Sequence, residues 1–373
     1  MNLNPLSKSM ALVAFFACFT QISNAKEPFT CPKAEEIIEE AIRAQKFPGA
    51  VLLVLNQGVV YRKAFGNKQL QPEKQPMTVA TIFDCASLTK PVATTTCIFH
   101  LWEQGKLQLT DPVAKYWPEI AANGKEKLTI AHLLQHRSGL IADNSLADYA
   151  GGKEAALRKI AALPLRTPLG EKMVYSDVGF IVLGHLVERL SGKNLADYFQ
   201  KTVAQPLKLE NTHFLVPENL RVQCAPTAQR NQQWIRGEVH DPRAWAMGGI
   251  AGHAGLFSTA DDMATFVQAI FTGKILKSTT WEAMLEPKSQ VFGRAYGWDV
   301  SSAYSSQSGT AFEKKSGFGH TGFTGTSIWV DRPTKSAVIL LTNRVHMPQS
   351  GSINTVRAEV ATEIAKTIKQ MSK

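Results

Sequence analysis

The chain of 373 residues is 44% hydrophobic, and its 41 lysines and arginines outnumber its 31 aspartates and glutamates, giving a formal net charge of +10. A chain of this length can bury a large core and divide into two lobes. The positive charge forms no run of five like charges and is not interleaved with aromatic residues. The sequence therefore argues against a nucleic-acid partner and is compatible with anionic cell-wall material.

Residues 1–25 have the pattern of a secretory signal peptide. Lys8 is followed by an apolar run over 10–19 and by Ser-Asn-Ala at 23–25, which fits the small-x-small cleavage rule. The apolar run is far shorter than the roughly 20 residues that span a bilayer. We therefore expect cleavage after residue 25, secretion across the inner membrane into the periplasm, and no transmembrane anchor afterwards. Lipidation at Cys18 is a weaker alternative.

Both ends of the mature chain predict strands next to a helix. Pro32 starts a helix, and two β-rich runs then flank Asn-Gln-Gly at 56–58, which is a hairpin signal. Near the other end, 325–331 and 336–343 predict two more strands. The last helix places an apolar residue every fourth position, at Val356, Val360, Ile364 and Ile368.

The middle of the chain predicts helices joined by loops. We therefore expect one α+β domain over 26–373, after the signal peptide at 1–25. Its α/β lobe comprises about 26–84 and 286–373, with an antiparallel sheet built from both chain ends and flanked by helices. Residues from about 85 to 285 are expected to form a mostly helical lobe. A catalytic cleft is expected between the two lobes.

Ser87 and Lys90 form an S-x-x-K pair at the predicted start of a helix. Helix geometry places both side chains on one face. A serine hydroxyl becomes a good nucleophile when a nearby base takes its proton, and a lysine serves if burial or a like charge lowers its pKa. A capping serine beside a solvated lysine is the competing structural interpretation of this stretch alone.

The stretch F-x-x-A-S-L-T-K-P at 83–91 resembles the first active-site motif of the penicillin-recognising serine hydrolases. That superfamily includes D-alanyl-D-alanine carboxypeptidases, serine β-lactamases, especially those of class C, and related esterases and amidases. The resemblance implies a β-lactamase/penicillin-binding-protein-like fold, with Ser87 as nucleophile and Lys90 as its proton-transfer partner. It also implies two further motifs downstream, in order.

The second motif is Tyr175-Ser176-Asp177, which is similar to the Y-x-N element of the class C-like branch. The resemblance implies that Tyr175 moves the serine proton together with Lys90, and that Asp177 contacts the substrate amide. Asparagine is commoner at the third position. A carboxylate accepts hydrogen bonds but donates none unless it is protonated, so this contact departs from the family pattern.

The third motif is His320-Thr321-Gly322, where K-T-G is the common form. The resemblance implies that these three residues bind substrate, and that the backbone N–H groups of Ser87 and Phe323 form the oxyanion hole. A histidine in place of lysine exchanges a permanent positive charge for one expected to titrate near neutrality. This makes β-lactam hydrolysis a weaker expectation than cleavage of an ester or an internal amide.

The stretch over 239–259 is similar to a segment of a subgroup that acts in cell-wall turnover. That subgroup includes N-acetylmuramoyl-L-alanine amidase-type proteins and carboxypeptidase-type proteins. His240, Asp241 and the glycine-rich loop at 248–255, which contains His253, line the cleft in one interpretation and have a structural role in the other.

Other chemistry is less well supported. His132 and His136 have the spacing of a zinc pair, but Leu133 stands where H-E-x-x-H has glutamate and no third ligand is evident. Ser87 lacks the glycines of the G-x-S-x-G motif that an α/β-hydrolase would carry. We therefore expect neither a metal nor an organic cofactor. Four cysteines remain in the mature chain, too few for a disulfide scaffold: Cys31, Cys85, Cys97 and Cys224.

The sequence predicts an exported serine hydrolase that cleaves an amide in peptidoglycan-derived peptides, as a carboxypeptidase or a muramoyl amidase. Its expected partner is a small-molecule or muropeptide substrate, with association to the cell wall as an option. A carboxylesterase and a non-catalytic protein that binds cell-wall fragments are the alternatives. The latter would carry a damaged set of active-site residues, whereas Ser87, Lys90 and Tyr175 are all present.

Overall fold

The computed structural model describes residues 29–286, 291–310, 316–347 and 349–371, so the predicted signal peptide lies outside the described residues. The strands are β1 (Gly49–Asn56), β2 (Val59–Gln69), β3 (Gln75–Pro76), β4 (Phe83–Asp84), β5 (Gln229–Arg230), β6 (Gln233–Trp234), β7 (Phe257–Ser258), β8 (Gly317–Thr321), β9 (Ser327–Asp331) and β10 (Ser336–Thr342).

The α-helices are concentrated between β4 and β8, with one more at each end of the chain. They are α1 (Pro32–Arg43), α2 (Thr96–Glu103), α3 (Ile130–Leu134), α4 (Gly152–Ala161), α5 (Asp177–Ser191), α6 (Leu195–Phe199), α7 (Gln205–Leu207), α8 (Glu218–Arg221), α9 (Pro242–Ala246), α10 (Ala260–Thr272), α11 (Ser278–Leu285) and α12 (Asn354–Met371). Among the described helices, none combines the length and apolar character that a membrane crossing needs.

The two chain ends form one antiparallel sheet, as the sequence predicts. Its strand order is β3-β2-β1-β10-β9-β8, so the first and last strands of the chain meet at β1 and β10 in the middle. The predicted hairpin at 56–58 joins β1 to β2. Strand β8 therefore lies at one edge of the sheet.

Buried side chains alternate across the sheet because successive residues of a strand face opposite sides. On β1, Val51, Leu53 and Leu55 belong to the larger core, which continues through the helical lobe. The intervening residues of β1 pack in a smaller core with α1 and α12. The four apolar residues predicted on α12 are among those packed there. The α+β architecture inferred from the sequence is thereby confirmed.

The predicted helix that begins at Ser87 is broken into segments. A 3-10 turn covers Ala86–Leu88, a π-helical turn covers Lys90–Thr95, and α2 follows. Pro91 has no backbone N–H to donate to the preceding turn, so regular α-helical hydrogen bonding cannot run through it. Single π-turns inside helices occur frequently at functional sites.

Candidate active site

Ser87 sits on a tightly held turn after the short strand β4. Ala86 has φ of 45°, in the left-handed region that is uncommon for residues other than glycine. The buried carboxylate of Asp84 accepts hydrogen bonds from Ala86 N at 2.8 Å and from His240 N at 2.7 Å. Burial raises the pKa of Asp84 to about 6, although both hydrogen bonds act to lower it. Asp84 thus fixes the backbone directly before Ser87.

Lys90 is fully buried, and its Nζ contacts three oxygen atoms. It donates hydrogen bonds to Ser87 Oγ and to the carbonyl oxygen of His253, each at 3.0 Å, and it forms an ion pair with Asp177 Oδ1 at 2.6 Å. Burial by itself lowers the pKa of Lys90, but the negative charge of Asp177 and the interaction with Tyr175 raise it, and the net shift is upward. The structure thus brings Ser87, Lys90 and Asp177 together.

The glycine-rich loop at 248–255 supports Lys90 from behind. A Cβ on Gly252 would lie 2.0 Å from the carbonyl oxygen of Phe180, so only glycine permits the loop to pack this closely on α5. The next residue, His253, offers its carbonyl oxygen to Lys90, and its ring Nε2 lies 2.9 Å from Asp241 Oδ1. The sequence left the role of this loop open, and the described contacts are structural ones.

Tyr175 lies between positively charged and aromatic groups. Its ring stacks on the His136 ring, with centroids 4.4 Å apart. The Lys90 Nζ is 5.0 Å from the centroid of the Tyr175 ring, and the guanidinium carbon of Arg294 is 5.7 Å from it. Tyr175 and Ser87 line the same cleft. The helix that follows begins with Ser176 as its cap, because Ser176 Oγ accepts from Gly179 N; the side chain of Asp177 is therefore available to Lys90.

His320 lies on the edge strand β8 and lines the cleft together with Thr321 and Gly322. The expectation that His320 titrates near neutrality is wrong. Its ring is buried, and burial, with the charges of Arg294 and Lys90, places its pKa well below the usual range. His320 is therefore a neutral imidazole at pH 7, with Nδ1 2.9 Å from the Thr321 carbonyl oxygen.

The turn after β8 is packed directly against the turn that carries Ser87. A Cβ on Gly322 would lie 2.5 Å from the carbonyl oxygen of Cys85. From α12, Arg357 donates to the carbonyl oxygens of Gly322 at 2.8 Å and Thr326 at 2.9 Å, which fixes this turn. The pairing of the Ser87 and Phe323 N–H groups as an oxyanion hole stays a prediction, and both residues line the cleft.

The cleft beside Ser87 has a volume of about 510 Å³ and a strongly basic lining. Three arginines and one carboxylate lie among its lining residues: Arg294, Arg344, Arg357 and Asp299. The rim also carries large exposed side chains, since Phe323 is 62% exposed and Tyr304 is 46% exposed. Such a cleft is suited to a substrate that combines an anionic group with a larger uncharged part.

Arg294 is the most notable cleft residue that sequence reasoning missed. It is 1% exposed, and its Nη1 lies 3.3 Å from Asp299 Oδ2. Its Nε and Nη2 have no hydrogen-bond partner among the described residues. A buried guanidinium with free N–H groups can bind a carboxylate in two-point fashion. The signal in the sequence was an arginine inside the otherwise apolar and aromatic stretch F-G-R-A-Y-G-W at 292–298.

Candidate metal ligands have other partners. His132 Nδ1 accepts from Thr129 N at the start of α3, and His136 Nδ1 accepts from Ser176 N at 3.0 Å, so the spaced pair has structural partners. Over the described ranges, the one group with ligand-like spacing is Asp177, Asp241 and His253. The Lys90 ammonium already contacts Asp177, and His253 already contacts Asp241. The positive charge next to the Asp177 carboxylate is thus already supplied by Lys90.

The four described cysteines are buried and unpaired. Burial raises the pKa of the Cys97 thiol and that of the Cys85 thiol, so both are protonated at pH 7. Cys85 and Cys97 are thus small buried side chains on either side of the Ser87 segment.

Comparisons with known proteins agree with this arrangement. The family model described as Beta-lactamase matches residues 34–362. The chain is 31% identical to the N-acetylmuramyl-L-alanine amidase of Bacillus subtilis (strain 168), over 85% of this chain and 81% of that protein. It is 30% identical to a protein of Escherichia coli (strain K12) provisionally named a D-alanyl-D-alanine carboxypeptidase, over 81% of this chain and 80% of that protein.

Solved structures have the same fold. EstCE1, described as a hydrolase with promiscuous acyltransferase activity, superposes with a TM-score of 0.70 at 25% identity, covering 88% of this chain and 98% of EstCE1. A class C β-lactamase from Rhodobacter sphaeroides superposes with a TM-score of 0.73 at 20% identity, covering 90% of this chain and 99% of that enzyme. With the family match over residues 34–362, these findings show that the chain belongs to the β-lactamase family of serine hydrolases.

Proposed function

We propose that this protein cleaves an amide bond in peptidoglycan-derived peptides by two-step acyl transfer through Ser87. The proposal covers two activities, release of a terminal D-alanine and release of the whole peptide from the muramoyl group. Relatives at about 30% identity carry the names of both activities. The Ser87–Lys90 contact at 3.0 Å supports the assignment of the nucleophile.

The basic lining of the cleft is the observation that carries the proposal. The histidine of the third motif is neutral, so it cannot hold a substrate carboxylate by charge. Arg294 lies on the same cleft as His320, with two unpaired N–H-bearing nitrogens, and Arg344 adds a second guanidinium. We infer that these arginines bind a carboxylate of the peptide substrate.

The proposed chemistry begins when the Ser87 Oγ attacks the substrate carbonyl and its proton passes to the Lys90–Tyr175 pair. Backbone N–H groups of Ser87 and Phe323 would stabilise the oxyanion. The proton then goes to the leaving amine, and water releases the acyl group by the reverse sequence. In this scheme, neutral His320 positions substrate by hydrogen bonding.

A carboxylesterase is the second candidate. The similarity to EstCE1 and the exposed Phe323 and Tyr304 at the cleft mouth favour it. An uncharged ester would leave the Nε and Nη2 groups of the buried Arg294 without a carboxylate to bind, so the peptide substrate fits the cleft better. A non-catalytic binding role fits less well, because the Ser87–Lys90–Asp177 contacts are intact.

Export to the periplasm is part of the proposal, because peptidoglycan fragments are found there. Its support is the signal-like pattern of residues 1–25, which are not among the described residues. Detection of the processed N-terminus by mass spectrometry of the periplasmic fraction tests it. Full-length protein retained in the cytoplasm would contradict this part.

The test of function is digestion of a muropeptide mixture by the protein that lacks residues 1–25, beside Ser87→Ala, with products identified by mass spectrometry. Serine-dependent loss of a terminal alanine identifies a carboxypeptidase, and loss of the whole peptide identifies a muramoyl amidase. An untouched digest in both samples, together with turnover of p-nitrophenyl acetate by the unsubstituted protein only, would contradict the peptidoglycan assignment and favour the esterase.

A further inference from the structure

The groups around Lys90 bear on its charge state. An ammonium group has three N–H donors and no acceptor, whereas a neutral amine has two N–H donors and one lone pair. The Nζ lies 3.0 Å from Ser87 Oγ, 3.0 Å from the His253 carbonyl oxygen and 2.6 Å from Asp177 Oδ1. The carbonyl and carboxylate oxygens only accept, whereas the Ser87 hydroxyl also carries a proton that it could donate to an amine. The contact that favours an ammonium is the ion pair with Asp177, because a neutral Lys90 would leave that carboxylate without its cationic partner next to a fully buried side chain. Lys90 is therefore taken to be protonated before the reaction begins.

A protonated Lys90 cannot accept the proton of Ser87 unless it gives one away at the same time. The titratable groups around Lys90 and Asp177, from every packed element, are one phenol, three carboxylates, three imidazoles and one guanidinium: Tyr175, Asp143, Asp177, Asp241, His136, His253, His320 and Arg294. Each has to be considered as a destination for that proton.

Most of these groups are poor acceptors of the Lys90 proton, because they already have partners or have a low pKa. Asp241 is bound to His253 Nε2 and to Ala244 N, and these contacts, which outweigh its burial, hold its pKa below the usual range. The pKa values of His136 and His320 are also held well below the usual range by burial and by nearby positive charges, so neither imidazole readily accepts a proton. Asp177 is the carboxylate in direct contact with the Lys90 ammonium.

We propose that Asp177 is a positioning residue that holds Lys90 as an ammonium and receives a proton from it when Ser87 is deprotonated. This inference rests on the proposed role of Ser87 and replaces the expected contact of Asp177 with the substrate amide. An asparagine, the commoner residue at this position of the family motif, could not take that proton.

The step balances without any further reactant. The Ser87 O–H bond breaks as the Oγ bonds to the substrate carbonyl carbon, and the proton forms a new N–H bond on Lys90. One of the existing N–H bonds of Lys90 breaks, and that proton forms an O–H bond on Asp177. The electron pair of the carbonyl π bond moves to the oxyanion. When the amide C–N bond breaks, the same two transfers run in reverse and protonate the leaving amine, assisted by the Tyr175 hydroxyl.

Asp177→Asn tests the relay by the direction in which the pH profile moves. In the relay, kcat/KM depends on the Asp177 carboxylate and not on loss of a proton from the Lys90 ammonium, so the acid limb of the unsubstituted protein does not report Lys90. In Asp177→Asn, Lys90 must lose its own proton before it can serve as the base, so the acid limb moves to higher pH. At pH 7 we expect kcat/KM to fall at least about 10²-fold, the low end of proton-transfer contributions. The probe is p-nitrophenyl acetate, followed between about pH 5 and 10.

Two matched variants accompany it. Asp177→Glu keeps a carboxylate and should leave the acid limb where it lies in the unsubstituted protein. Asp261→Asn removes a carboxylate outside the site, which pairs with Arg62 at 2.9 Å, and should leave the profile unchanged. Thermal unfolding of each variant establishes that it is folded.

Two results would overturn the relay. An acid limb that moves to lower pH in Asp177→Asn would mean that neutral Lys90 is the base and that Asp177 only raises its pKa. An unmoved profile with activity within tenfold would mean that Asp177 takes no part in proton transfer. Failure of the proposed nucleophile is separate, because it would appear as equal labelling of Ser87→Ala and the unsubstituted protein by a fluorophosphonate.

Discussion

The buried Arg294–Asp299 pair allows substrate recognition to be separated from stability. Both residues are 1% exposed, and Nη1 and Oδ2 are 3.3 Å apart. Arg294→Met alone strands a buried carboxylate, which costs about 3–5 kcal/mol of the free energy of unfolding. Arg294→Met with Asp299→Asn removes both charges and keeps a polar group near Ser302 N, which Asp299 now binds at 3.2 Å. The second substitution should recover about 2 kcal/mol, within the range for residues in contact.

Urea denaturation of the two single variants and the double variant measures the coupling free energy between Arg294 and Asp299. Rates of hydrolysis of a muropeptide and of its C-terminal carboxamide measure the preference for a free carboxylate. Loss of a hydrogen bond to a charged group is worth about 1.5–3 kcal/mol, or roughly ten- to 150-fold in kcat/KM. In the double variant, kcat/KM for the muropeptide with a free carboxylate should therefore fall roughly ten- to 150-fold. The value for the C-terminal carboxamide should change little. A stable double variant that kept the original preference for the carboxylate would refute the assignment of Arg294 as the carboxylate-binding group.

Two other substitutions test the site. Lys90→Ala should lower kcat for p-nitrophenyl acetate at least about 10²-fold; a well-folded variant within tenfold of the unsubstituted protein would contradict its role. Asp84→Asn should lower kcat at pH 7.5 and remove a pH dependence near 6, because Asp84 has a pKa of about 6 and only its ionised form accepts from both Ala86 N and His240 N. The free energy of unfolding should change with pH in the opposite direction to the activity. Because folding raises the pKa of the Asp84 carboxyl, its contribution to stability is present at low pH and is lost as the pH rises through about 6. An unchanged profile of activity against pH in Asp84→Asn would contradict the role of Asp84 in holding the turn that carries Ser87.

Much of the fold could be predicted because the two chain ends carry strong local signals. The hairpin at 56–58 and the four-residue spacing on α12 depend on neighbours in sequence, so they are visible without a structure. The capping of α3 by Thr129 is a local feature of the same kind. The π-helical turn at Lys90–Thr95 was not predicted, since a regular helix and a π-turn share the same apolar pattern.

The site was only partly predictable, because its electrostatics depend on residues far apart in sequence. The motifs predicted Ser87, Lys90 and Tyr175, which the structure brings together. They did not reveal that His320 is neutral, since this follows from burial and from the charge of Arg294. Nor could they reveal that the His253 carbonyl oxygen binds Lys90, because a backbone atom leaves no residue-type signal.

The central claim is that Ser87 is the nucleophile, and trapping of the acyl-enzyme tests it most directly. The protein is quenched in acid during turnover of p-nitrophenyl acetate and digested, and the modified peptide is sequenced by mass spectrometry. We predict one added acetyl group, carried by the peptide that contains Ser87 and absent from Ser87→Ala. An acetyl group on another residue, with Ser87→Ala turning over the ester at the original rate, would contradict the account.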